Sequence, residues 1–127
     1  MNKTETYEHL FVGKGRVTLA IVVDGETVKV GMAFCSPKDQ FVKIRGRQIA
    51  RGRALAGSFN SFEFKSVGGL VENKRQAFDE FMTISSNNDG SIPCWAVKSI
   101  AVGDFATIQD IRMMSEACKD GQFGVLL

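Results

Sequence analysis

Six cationic side chains, Lys38, Lys43, Arg45, Arg47, Arg51 and Arg53, crowd into residues 38–53 against one carboxylate, Asp39. A guanidinium donates paired hydrogen bonds from a planar fork, a geometry suited to phosphate and pyrophosphate. The whole chain has a formal charge of only +2, so the rest is mildly acidic and the positive charge is local. A local patch suits an anionic partner, whereas a protein coating nucleic acid would be more basic throughout. Helical spacing sorts these side chains. On a wheel, Lys43, Arg47 and Arg51 stand four residues apart as a solvated stripe, opposite Phe41, Ile44, Ile49, Gly52 and Leu55. Arg45 falls among the apolar residues instead. Burying it unpaired would be costly, so it meets either an internal carboxylate or a bound phosphate.

A strand and a helix must position these groups. Val28, Val30, Met32 and Phe34 alternate as a buried strand, and Ser36-Pro37-Lys38-Asp39 follows. Ser36 suits an N-cap, Pro37 the first helical position and Asp39 a capping-box carboxylate near the positive end of the dipole. The helix should then run to Gly57. Gly46 and Gly52 within it each cost about 1 kcal/mol relative to alanine, which predicts a close backbone approach.

Upstream, residues 1–6 read as frayed, and Glu8–Val12, Val17–Val23 and Thr27–Cys35 as a three-strand meander. Gly13-Lys14-Gly15-Arg16 lacks P-loop spacing and reads as a hairpin turn rather than a phosphate cradle; Asp24-Gly25 marks the next hairpin. Downstream, Phe62 and Phe64 alternate in a fourth strand over 59–65, and Val71–Ile84 reads as a helix grouping Val71, Phe78, Phe81 and Met82. A polar loop spans 85–91. Residues 92–98 fit a strand or a helical turn. Asp104 reads as the cap of a last helix over 105–118, with Arg112 beside Phe105 and Ile108. The apolar tail 122–127 should pack on the core or on another subunit. The expectation is one α+β domain over 1–127, an antiparallel sheet of a meander plus a fourth strand with about three helices, in an oligomer.

With 44% hydrophobic residues in 127, the chain is globular and has room for a single core. His9 is the only histidine, and Cys35, Cys94 and Cys118 have no C-x-x-C spacing, so neither zinc nor a Cys-His dyad is expected. The cysteines read as buried free thiols in a reducing cytoplasm. No signal peptide or membrane span is visible, and no cofactor is implied. Catalytic signatures such as G-x-S-x-G or a dinucleotide fingerprint are absent. The ingredients suit binding of an anionic, aromatic ligand: arginines for phosphate, asparagines at 87 and 88 for sugar hydroxyls, and Phe81 or Trp95 to stack on a base. From its helical spacing Phe81 reads first as core, and Trp95 is equally readable as core or as a stacking ring.

Two stretches carry a resemblance: Gly13 to Ala20 (GKGRVTLA), and Phe34 to Phe41 (FCSPKDQF) continuing through Gly46-Arg47, Ile49-Ala50 and Gly52-Arg53. They resemble the first-described phage Thoeris anti-defence sponges. The resemblance implies an α+β domain that assembles at least as a dimer. It implies capture, without cleavage, of a cyclic ADP-ribose isomer made by TIR-domain enzymes, in the infected host's cytoplasm; some relatives also hold cyclic oligonucleotides at a separate place. It places ligand contacts on an aromatic residue, an asparagine and a late arginine, best matched by Phe81, Asn88 and Arg112, with Asn87 an alternative to Asn88. Trp95 and Arg45 complete the candidate set. The rivals are a small nucleic-acid-binding regulator using the basic helix 38–53 and an enzyme acting on nucleotides.

Overall fold

The computed structural model describes residues 3–87 and 89–107. Their chain order is β1 (Lys3–Val12), β2 (Gly15–Asp24), β3 (Thr27–Cys35), α1 (Lys43–Ala56), β4 (Ser61–Lys65), α2 (Leu70–Asn87), α3 (Cys94–Ala101) and β5 (Phe105–Thr107). The strands form one antiparallel sheet in the order β4-β3-β2-β1-β5. The meander is the centre of this α+β fold. Its first hairpin pairs Val12 with Gly15 and its second pairs Asp24 with Thr27. The turns contain Gly13 at φ 57° and Gly25 at φ 63°, backbone that a side chain disfavours.

Both sheet faces are covered, and side chains alternate between them. Leu10, Val12, Val17, Leu19, Ile21, Val28, Val30 and Met32 pack with Ala77 and Phe81 of α2 and Ala96 and Ile100 of α3. The opposite face is built from small residues. Ala20 and Ala33 pack with Ala50 of α1, and a Cβ at Gly31 would run into the backbone of Ala50 and Ala54. Small side chains on both surfaces let α1 lie almost directly on the sheet.

That close seat overturns the helical wheel. The buried residues of α1 are Ala50 and Ala54, whereas Ile44 is 67% exposed and Ile49 and Leu55 also face solvent. A bulky isoleucine or leucine beneath the helix would hold it away from Gly31. All three members of the cationic stripe are exposed, but two reach the sheet. Arg51 pairs with Glu5 at 2.9 Å, and Arg47 hydrogen-bonds His9 and lies 5.3 Å from the Tyr7 ring centre. Gly46 meets the predicted close approach, from Thr18, but among the described residues nothing comes near Gly52.

Other boundaries move for local reasons. α1 starts at Lys43 with Val42 in the cap position and no side-chain cap. Ser36 and Asp39 close a turn of their own, with Ser36 Oγ donating to Asp39 Oδ2 and accepting from the Lys38 amide. Residues 3–6, expected to fray, pair with Ile21–Asp24. Val71 is 62% exposed, and α2 buries Asn73 instead. The Asn73 carbonyl oxygen accepts the Val67 amide, and its NH2 donates to Ser66 Oγ and Gly68 O. α2 extends into the expected polar loop, and 94–101 is helical. Phe105–Thr107 is a strand on β1, not the start of a helix. The remainder of that expected helix and the tail 122–127 lie outside the described residues. Cys94 is exposed and Cys35 half-buried rather than buried, and Cys118 is again outside. Among the described residues no helix is long and apolar enough to cross a membrane.

Candidate ligand-binding cleft

Strand register sets the floor of a cleft. Phe11, Arg16 and Cys35 stand side by side across β1, β2 and β3, as do His9, Thr18 and Ala33 in the next row. Both rows face α1. The helix covers the sheet closely at Gly31 but has not yet begun above Arg16, where the 36–42 connection crosses. The space left has a volume of about 510 Å³ and is lined in part by Arg16, Thr18, Phe34, Phe41, Arg45 and Gly46. Small-molecule sites commonly measure about 300–1,000 Å³, so the cleft is large enough for a nucleotide-sized ligand.

Its charge is positive. The Arg16 guanidinium lies 3.7 Å from the Phe11 ring centre and 5.6 Å from that of Phe41, which holds its fork on aromatic faces. Arg45 lines the same cleft from the first turn of α1. Among the described residues the ion pairs are Arg51–Glu5 and Lys74–Glu8, and neither cleft arginine takes part in one. Asp39 is the carboxylate in the lining, and its side chain is engaged by Ser36.

Beneath the cleft His9 is only 7% exposed. Its Nδ1 lies 2.9 Å from Thr18 Oγ1, the Arg47 Nε–H donates to its Nε2 at 3.4 Å, and Phe41 packs edge-on at 5.8 Å. Burial, together with the charges of Lys43 and Arg47, lowers the His9 pKa from 6.5 to about 4. The ring is therefore neutral at pH 7. Among the described residues no group of three or more His, Cys, Asp or Glu could hold a metal ion.

Of the five residues singled out from sequence, the three that are described, Phe81, Trp95 and Arg45, do not share one site. Arg45 is in the cleft. Phe81 is 1% exposed in the core on the other side of the sheet, so it has no free face for stacking. Trp95 packs partly buried against that same core, over Gly15. Asn88 and Arg112 lie outside the described residues. Arg16, Thr18, His9 and Phe41 were missed as site residues. The hairpin could have pointed to one pair, since His9 and Thr18 are equidistant from the Gly13-Lys14 turn. Comparison with protein-family models, with curated proteins and with solved structures finds no match.

Proposed function

We propose that this protein is a phage-type anti-defence sponge that binds a cyclic ADP-ribose isomer in the Arg16–Phe41–Arg45 cleft and withholds it, uncleaved, from Thoeris immunity. One observation carries the reading. The second stretch of the resemblance, Phe34 to Phe41 and its continuation to Arg53, supplies Phe34, Cys35, Asp39, Phe41, Gly46 and Ile49 to a single cleft, with Arg45 beside them. Two guanidiniums without ion pairs among the described residues suit a pyrophosphate, and the Phe41 ring suits a base or sugar face. The nucleic-acid alternative relied on Lys43, Arg47 and Arg51 as a free stripe, and two of these are occupied by the sheet. Exposed Val42 and Ile44 adjoin the cleft, apolar surface that a second copy of the chain would cover in a self-assembled sponge, working in the host cytoplasm as an instrument of immune evasion.

Calorimetry with cyclic ADP-ribose isomers tests the proposal. A sponge working at signal concentrations needs a Kd of order 1 nM, about −12 kcal/mol. Arg45→Ala and Arg16→Ala should each weaken binding by about tenfold or more, as expected for loss of a charged hydrogen bond. Ligand released by heating should be recovered intact. Failure to bind any isomer would refute the sponge reading, and recovery of a linear product would replace it with the enzyme.

A further inference from the structure

We propose that the Thr18 hydroxyl is a dedicated hydrogen-bond donor at the floor of this cleft, aimed at a phosphoryl oxygen of the ligand by a relay from Arg47 through His9. The inference rests on the cleft being the ligand site, and it assigns that site an atom-level preference.

The direction of every proton in the relay follows from what each group can do. A guanidinium donates and never accepts, so the Arg47 Nε–H at 3.4 Å requires a lone pair on His9 Nε2. His9 is neutral at pH 7, because burial and the neighbouring Lys43 and Arg47 keep its pKa near 4. A neutral imidazole has one N–H, and it must then be on Nδ1. Thr18 Oγ1, 2.9 Å away, therefore accepts that proton. The hydroxyl's own hydrogen is left over. Thr18 is 1% exposed, and among the described residues no acceptor for that hydrogen faces it. Its remaining outlet is the cleft it lines.

Gly46 leaves room for that oxygen under α1. A Cβ there would stand 2.8 Å from Thr18 Oγ1, so any side chain at 46 would crowd the oxygen. Glycine is otherwise unfavourable in a helix interior. A buried donor with no acceptor is costly, and an oxygen supplied by a ligand removes that cost. Arg16 and Arg45 in the same lining make an anionic oxygen the fitting acceptor. A phosphoryl group meets both conditions, whereas an amine or amide N–H placed on the floor would leave the hydroxyl hydrogen without an acceptor.

A single histidine in the chain makes the relay directly observable. A long-range 1H–15N spectrum of the wild-type protein at pH 7 should show His9 as the Nδ1–H tautomer; an Nε2–H tautomer overturns the proposal. Calorimetry with inorganic pyrophosphate and with a cyclic ADP-ribose isomer then reads the donor. Thr18→Val, nearly isosteric, should lose about 10- to 100-fold in affinity, the range for a hydrogen bond to a charged group, and Thr18→Ser should retain it. His9→Gln can place an amide N–H towards Thr18 and a carbonyl towards Arg47, so it should keep binding, whereas His9→Phe should lose it while remaining folded. Thr18→Val and His9→Phe binding like wild type while Arg45→Ala does not would overturn the relay and leave the cleft standing. Binding of neither probe by the wild type would overturn both.

Discussion

Replacing Gly31 with alanine tests the feature from which the cleft follows, the close seating of α1 on the sheet. The new Cβ would overlap the Ala50 carbonyl and stand 2.5 Å from the Ala54 nitrogen. These are backbone atoms of a helix, so no rotamer change can clear them. Overpacking a well-filled core typically costs about 1–3 kcal/mol, and a rigid obstacle puts this case near the top of that range. Replacing glycine also lowers the entropy of the unfolded chain, which returns about 0.4–1 kcal/mol. A net loss of about 2 kcal/mol is expected, or several degrees in Tm for a chain of this length. Gly52→Ala is the internal control. It lies in the same helix with nothing within 4 Å of the added Cβ, so helix propensity alone predicts a gain of up to about 1 kcal/mol. Urea unfolding of both variants, with m values compared, reads the two signs. Lifting α1 should also draw Arg47 away from His9 and weaken ligand binding in Gly31→Ala alone. Equal stability of Gly31→Ala and wild type, or a loss from Gly52→Ala, would show that the helix is not seated on Gly31.

Two further outcomes are expected. His9 has a folded pKa near 4 against 6.5 for the free side chain, so between these values the unfolded state binds more protons. Its contribution is therefore present above pH 6.5 and is lost as pH falls towards 4, by at most about 3.5 kcal/mol at about 1.4 kcal/mol per pH unit. The difference in urea stability between wild type and His9→Gln should shrink accordingly from pH 7 to pH 4.5, and parallel curves would refute the assignment. Sedimentation velocity at micromolar concentration should show a dimer or larger species, returned to monomer by Ile44→Glu on the exposed face of α1. A monomeric wild type would refute the self-assembly.

The strand meander was legible because its signals are local. Alternation in β2 and β3 exposes a period of two, and glycines at positive φ mark both turns. Gly57 likewise marks the end of α1 with φ 65°. The facing of α1 was not legible. A hydrophobic wheel assigns the bulkiest apolar side chains inward, but Gly31, Ala20 and Ala33 offer a surface so flat that Ala50 and Ala54 fit it better than Ile44 or Leu55. Which residues a helix buries depends on the shape of its partner, and that partner, from Ala33 to Ala50 at the nearest, is seventeen or more residues away in sequence. Phe81 illustrates the same limit for function, since stacking and core packing demand the same residue type and only burial separates them.

The sequence by itself determined an α+β chain, a central antiparallel meander, a glycine-ended basic helix and a local excess of positive charge, because turn chemistry, periodicity and charge are written in neighbouring residues. Tertiary structure alone decided where that charge goes. Pairing β1 with β2 puts Glu5, Tyr7 and His9 under α1, where they engage Arg47 and Arg51, and the late start of that helix leaves Arg16 and Arg45 beside an open cleft. Contacts across strands and between layers select from the arginines by distance, and spacing along the chain contains no record of that distance.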